Sequence, residues 1–75
     1  MSTKKQREEA ELATAPIVLD YLKVRAALKK AKDDKRDGDI CRKHRDRAEL
    51  LLGAMTAAAQ RVALRLSWDA GTGDL

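Results

Sequence analysis

Between Ile17 and Ala31, apolar side chains recur at alternating steps of four and three: Ile17, Tyr21, Val24, Leu28, Ala31. That spacing lines one face of an α-helix. Val18 and Leu22 widen the face, while Asp20, Lys23, Lys30 and Asp34 fall elsewhere on the surface. The helix predicted from Pro16 ends in the cluster DDKRDGD. There Gly38 can take the left-handed conformation that follows a helix C-cap, at no Cβ cost. Asp37 or Asp39 can then cap the helix that follows.

That second helix is predicted from about Ile40 to Ser67, on the order of 40 Å long. Its first turns are charged, with Arg42, Lys43, Arg45, Asp46 and Arg47. From Ala48 to Leu66 it changes character, and thirteen of nineteen residues are apolar. Glu49, Gly53, Thr56 and Gln60 are among the exceptions and fall at helical spacing as a narrow polar seam. A helix apolar over most of its circumference must be covered on more than one side, and one partner helix cannot do that.

Thr3 to Ala13 also reads as helix. Lys4/Glu8, Lys5/Glu9 and Arg7/Glu11 lie one turn apart, with the base first, the weaker order. Pro16 then interrupts, because an internal proline loses a hydrogen bond and clashes with the carbonyl four residues back. It either kinks a continuous helix or opens a new one with Thr14 as N-cap. Beyond Ser67, two glycines and the loss of periodicity predict a flexible tail over 68–75.

Folding about Gly38 sets Leu28 against Ala48, Val24 against Leu51 or Leu52, Tyr21 against Met55, Ile17 against Ala58, and Ala10 toward Leu66. Apolar meets apolar along the whole ladder. The expected fold is therefore all-α: an antiparallel helical hairpin with an N-terminal helical extension kinked or broken near Pro16. It forms one domain over 1–67, with helix over about 3–37, a turn at about 37–39 and helix over about 40–67. The surplus apolar surface of the second helix predicts a homodimer, closing into a four-helix bundle through Leu51, Ala54, Met55, Ala58, Val62 and Leu66. Docking of that surface on a larger, different protein is the alternative.

Composition agrees with this picture. Seventy-five residues allow one small domain, and the absence of Phe, with one Trp and one Tyr, leaves Ala, Leu and Val to build the core. One cysteine, Cys41, allows no internal disulfide and fits a reducing compartment. The polar start MSTKKQREEAE has no signal-peptide core, and the uncharged run from Leu50 to Gln60 is too short to span a bilayer. A cytoplasmic protein with no membrane association is expected, or one of the host cytoplasm if the source is a phage.

Charge sharpens the functional reading. The net +4 of the chain is concentrated between Lys23 and Arg47, which carry +6 against −1 on either side. The hairpin would gather Lys29, Lys30, Lys32, Lys35, Arg36, Arg42, Lys43, Arg45 and Arg47 at one end. Such an end can steer an acidic protein surface or contact phosphates. Asp33, Asp34, Asp37, Asp39 and Asp46 are interleaved, and no aromatic stands among the cations to stack a base. The same charge also serves to keep a helical end soluble.

Two metal readings are weaker. DDKRDGDICRKH resembles the calcium loop of an EF-hand, with Asp33, Asp37 and Asp39 at its first, fifth and seventh places, Gly38 at the turn and Ile40 at the eighth. The third, ninth and twelfth places hold Lys35, Cys41 and His44, where a hard cation needs oxygen ligands and a closing carboxylate. Cys41 and His44 suit zinc, but a structural site takes four ligands. No metal, cofactor or catalytic residue is assigned, and no enzyme is expected. The expected function is a non-enzymatic adaptor or inhibitor that self-associates through its second helix and meets an acidic partner with its basic end. The alternative is a nucleic-acid-binding accessory protein using the same end.

Overall fold

The computed structural model describes residues 3–35 and 38–72, which form four helices: α1 (Lys4–Ala13), α2 (Pro16–Asp33), α3 (Gly38–Gly53) and α4 (Ala57–Asp69). The all-α expectation holds, and no strand occurs among the described residues.

Helix α1 starts at a capping box. Thr3 accepts from the Gln6 amide, and the Gln6 side chain accepts from the Thr3 amide, at 3.2 and 3.0 Å. Two of the orphan N–H groups of the first turn are thereby satisfied. Near Pro16 the helix breaks rather than bends. Pro16 is the first residue of α2, where its missing N–H costs nothing. Thr14 does not cap α2. It ends α1, its hydroxyl donating back to the Glu11 carbonyl at 3.0 Å, and Ala15 takes the N-cap position of α2 without a side-chain bond.

The left-handed residue after α2 is Lys35, at φ 55°, and not Gly38, which is the first residue of α3. Asp37 and Arg36 lie outside the described residues. A Cβ in the left-handed region costs roughly 1 kcal/mol. Lys35→Gly should therefore raise stability by about 0.5–1 kcal/mol, read as a higher urea midpoint at unchanged slope. An unchanged or lower midpoint would show that the loss of lysine outweighs the relief of strain.

The largest departure lies in the second helix, which is broken at 54–56. Here the residues of the polar seam turn the chain. Gly53 ends α3, and Thr56 caps α4 by accepting from the Ala59 amide at 3.2 Å. Gln60 Nε2 donates to the Leu52 carbonyl at 2.9 Å, a second bond to an oxygen that also accepts from the Met55 amide at 3.1 Å.

With this corner in place, α4 packs on both α1 and α2, while α2 packs along α3. The cover that a long apolar helix required thus comes from two helices of the same chain. Val18, Tyr21, Ala48, Met55, Ala59 and Ala63 form the buried cluster, flanked by Leu12, Ile17, Leu22, Leu51, Leu52 and Leu66. Tyr21 and Met55 share it, as the ladder predicts. Ala58 and Ala10 do not, since both are exposed.

Of the tail expected over 68–75, residues 73–75 lie outside the described residues, and 68–72 take regular structure. α4 runs to Asp69, and Gly71 adopts φ 77°. Gly71 N–H donates to the Trp68 carbonyl and Thr72 N–H to the Ser67 carbonyl, both at 2.9 Å, which is a Schellman closure. Thr72 is buried, and its hydroxyl donates to the Ser67 carbonyl at 2.9 Å while accepting from Ser67 Oγ at the same distance. Arg25 Nη2 on α2 donates to the Thr72 carbonyl at 2.6 Å, tying the end of α4 to the middle of α2.

Candidate interaction surface

The side of α3 that meets α2 carries Cys41, His44, Ala48, Leu51 and Leu52, all buried or half-buried. The rest of α3 is exposed and carries Ile40, Lys43, Arg47 and Leu50, spaced by three and four, together with Asp39, Arg42, Arg45, Asp46 and Glu49. Leu50, at 75 % exposure, stands in water one turn from Arg47. A single helix thus presents a core face to its own chain and, to the outside, a charged surface of four cations and three carboxylates with two large aliphatics among them.

Of the cations expected at the hairpin end, Lys32, Lys35, Arg42, Lys43, Arg45 and Arg47 are exposed on it, together with Lys30. Arg36 is outside the described residues. Lys29 is drawn away. It is half-buried, and its Nζ lies 3.3 Å from where a Cβ on Gly71 would stand, beside the C-terminus of α4. Positive charge at a helix C-terminus offsets the partial negative charge of the last carbonyls. Arg25, which sequence reasoning left out of the site, does the same with a direct bond. None of Lys30, Lys35, Arg42, Lys43, Arg45 and Arg47 forms an ion pair among the described residues. The pairs Lys4/Glu8, Lys5/Glu9 and Arg7/Glu11 are not formed either. Glu9 instead meets Arg65 of α4 at 3.4 Å.

The residues expected to form a dimer interface are divided. Met55 and Val62 are buried within the chain, and Leu51 and Leu66 are half-buried against the same core. Ala54 and Ala58 are exposed. The corner at 54–56 produces this outcome, because it brings α4 onto α1 and α2. Among the described residues, the large apolar side chains left outside are Leu19, Ile40, Leu50, Leu64 and Trp68.

Between α3 and α4 the surface is concave. The two helices make little direct contact, and Tyr21 and Ala48 form a buried floor with the half-buried Leu52. Arg25, Arg45, Glu49 and Leu64 stand around it. Sequence spacing alone does not reveal this groove, since it depends on how the corner redirects α4.

His44 lies half-buried on the α2 side of α3. Asp33 and Asp39 are exposed, and among the described residues no group of three or more His, Cys, Asp or Glu side chains is placed to share a metal ion. No described helix is long and apolar enough to cross a membrane. Comparison with family models, with curated proteins and with solved structures finds no match to this chain.

Proposed function

We propose that this protein is a small non-enzymatic interaction module, an adaptor or inhibitor, that engages an acidic partner through the basic end of the α2–α3 hairpin. The observation that supports this reading is that Lys30, Arg42, Lys43, Arg45 and Arg47, exposed on α2 and α3, make no ion pair among the described residues. Charges held within a fold are typically paired, whereas these are solvated and available. A partner carrying carboxylates or phosphates gains association rate from such a field, and loses it as salt rises.

The discriminating measurement is a salt titration of binding to poly-L-glutamate and, separately, to a mixed-sequence DNA duplex. Binding to the acidic polymer is expected at low salt. Changing Arg42, Lys43 and Arg47 together to alanine should lower it about tenfold while leaving the circular dichroism spectrum unchanged. A variant that binds as well as the parent would overturn the reading. Preference for the duplex with a steep salt slope would move the assignment to a nucleic-acid accessory protein.

A further inference from the structure

The groove between α3 and α4 combines two properties that the basic end lacks with the positive charge that it shares. Its floor is apolar and fixed, since Tyr21 and Ala48 are almost fully buried and belong to the core cluster. One wall presents Leu64, and one turn further along α4 Trp68 stands 64 % exposed on the same side. Its polar members are Arg25, Arg45 and Glu49, two positive charges against one negative. Arg25 is committed to the Thr72 carbonyl, but its charge stays in the wall, and Arg45 is exposed.

From these features, and resting on the reading that the partner is acidic, we infer that the groove receives an amphipathic acidic helix of a partner protein. The apolar side of that helix would lie on Tyr21, Leu52 and Leu64. A carboxylate would reach Arg45, and Trp68 would be covered at the rim. Helix-in-groove docking takes apolar anchors at i, i+3, i+4 and i+7, and the apolar floor beside a positive wall fits such anchors flanked by carboxylates. Tryptophan, tyrosine and arginine are the residue types in which binding energy concentrates, and Trp68, Tyr21 and Arg45 belong to this side of the molecule. Nucleic acid fits the groove less well, because a duplex backbone offers nothing to cover Leu64.

The test uses the full chain and two synthetic peptides of identical composition. One places leucine at i, i+3, i+4 and i+7 with glutamate on the flanks, and the other scrambles that order. Affinity is read from the anisotropy of labelled peptide, and location from the emission of Trp68, the single tryptophan of the chain. The ordered peptide should bind at least about tenfold more tightly than the scrambled one and shift Trp68 emission to the blue. Leu64→Glu and Arg45→Glu should each remove about tenfold or more of that affinity, with helical content unchanged. Equal binding of both peptides, binding without a shift of Trp68, or no binding of the ordered peptide would overturn the groove assignment. So would a blue shift that the chain shows by itself with rising concentration, since a second copy would then be the occupant. The basic-end reading fails separately. It falls if the Arg42, Lys43 and Arg47 alanine variant binds the ordered peptide with unchanged affinity and salt dependence while Leu64→Glu abolishes binding.

Discussion

Leu28→Ala is expected to remove a large share of the stability of this protein, about 2–5 kcal/mol. Leu28 is fully buried and is the largest of the side chains with essentially no exposure. Its neighbours on the apolar stripe of α2 include one alanine and one valine, so few bulky groups can relax into the space. Losing a buried leucine costs about 2–5 kcal/mol, the spread reflecting how far a site can collapse. A chain of 75 residues has on the order of 4–11 kcal/mol in total, at roughly 0.05–0.15 kcal/mol per residue. The variant should unfold at a markedly lower temperature and with a broadened transition, followed by circular dichroism at the helix band. Leu50→Ala is the matched control. Its side chain is 75 % exposed, and the change should stay within about 0.5 kcal/mol. If the two variants melt alike, the burial assigned to α2 is wrong.

The second large effect is expected at the join between α2 and the end of α4. Arg25→Met keeps most of the apolar stem but removes the charged donor to the Thr72 carbonyl. Hydrogen bonds from charged groups contribute about 1.5–3 kcal/mol, and here the carbonyl left behind belongs to a buried residue. Gly71→Ala acts on the same join by another route. Its φ of 77° disfavours a side chain by about 1–2 kcal/mol, and the added Cβ would press on Lys29 Nζ. The lysine end can move aside, so the conformational cost dominates. Because both changes weaken one contact, their sum should exceed the loss in the double variant. Urea unfolding monitored at Tyr21 and by circular dichroism reads both midpoints. An Arg25→Met midpoint equal to that of the parent would show that the bond adds nothing net to water.

What the sequence made legible was local. The period of Ile17 to Ala31 gave α2, Thr3 and Gln6 sit at capping-box spacing, and Pro16 marked a boundary, because each of these is decided within one or two turns of chain. The corner at 54–56 was present as well, in Gly53 followed by Thr56. Both also fit a polar seam on a continuous helix, and spacing does not distinguish a seam from a pair of caps. The difference is tertiary. Breaking the helix lets Met55, Ala59, Val62 and Ala63 be covered within the chain, and the Gln60 bond to Leu52 completes the turn. The same substitution of tertiary for local logic explains the rest. Gly38 was the better left-handed residue by propensity, yet Lys35 holds that place. The glycines of the last segment suggested disorder, yet Gly71 closes a helix that is held from a distance. The basic end could be read from charge alone, whereas the groove beside it required knowing where α4 goes.

The corner also sets an order of events during synthesis. Val18 and Tyr21 are buried against residues as late as Ala63, and Arg25 meets its partner 47 positions downstream. A nascent chain that has reached only Gly53 holds the residues of α1, α2 and α3 but has nothing to lay across the exposed side of α2. That intermediate carries an uncovered strip of Val, Tyr and Leu, the kind of surface that recruits chaperones and seeds aggregation. Assembly of the core must therefore wait for the last helix, and the protein is expected to acquire its structure in one late step rather than element by element.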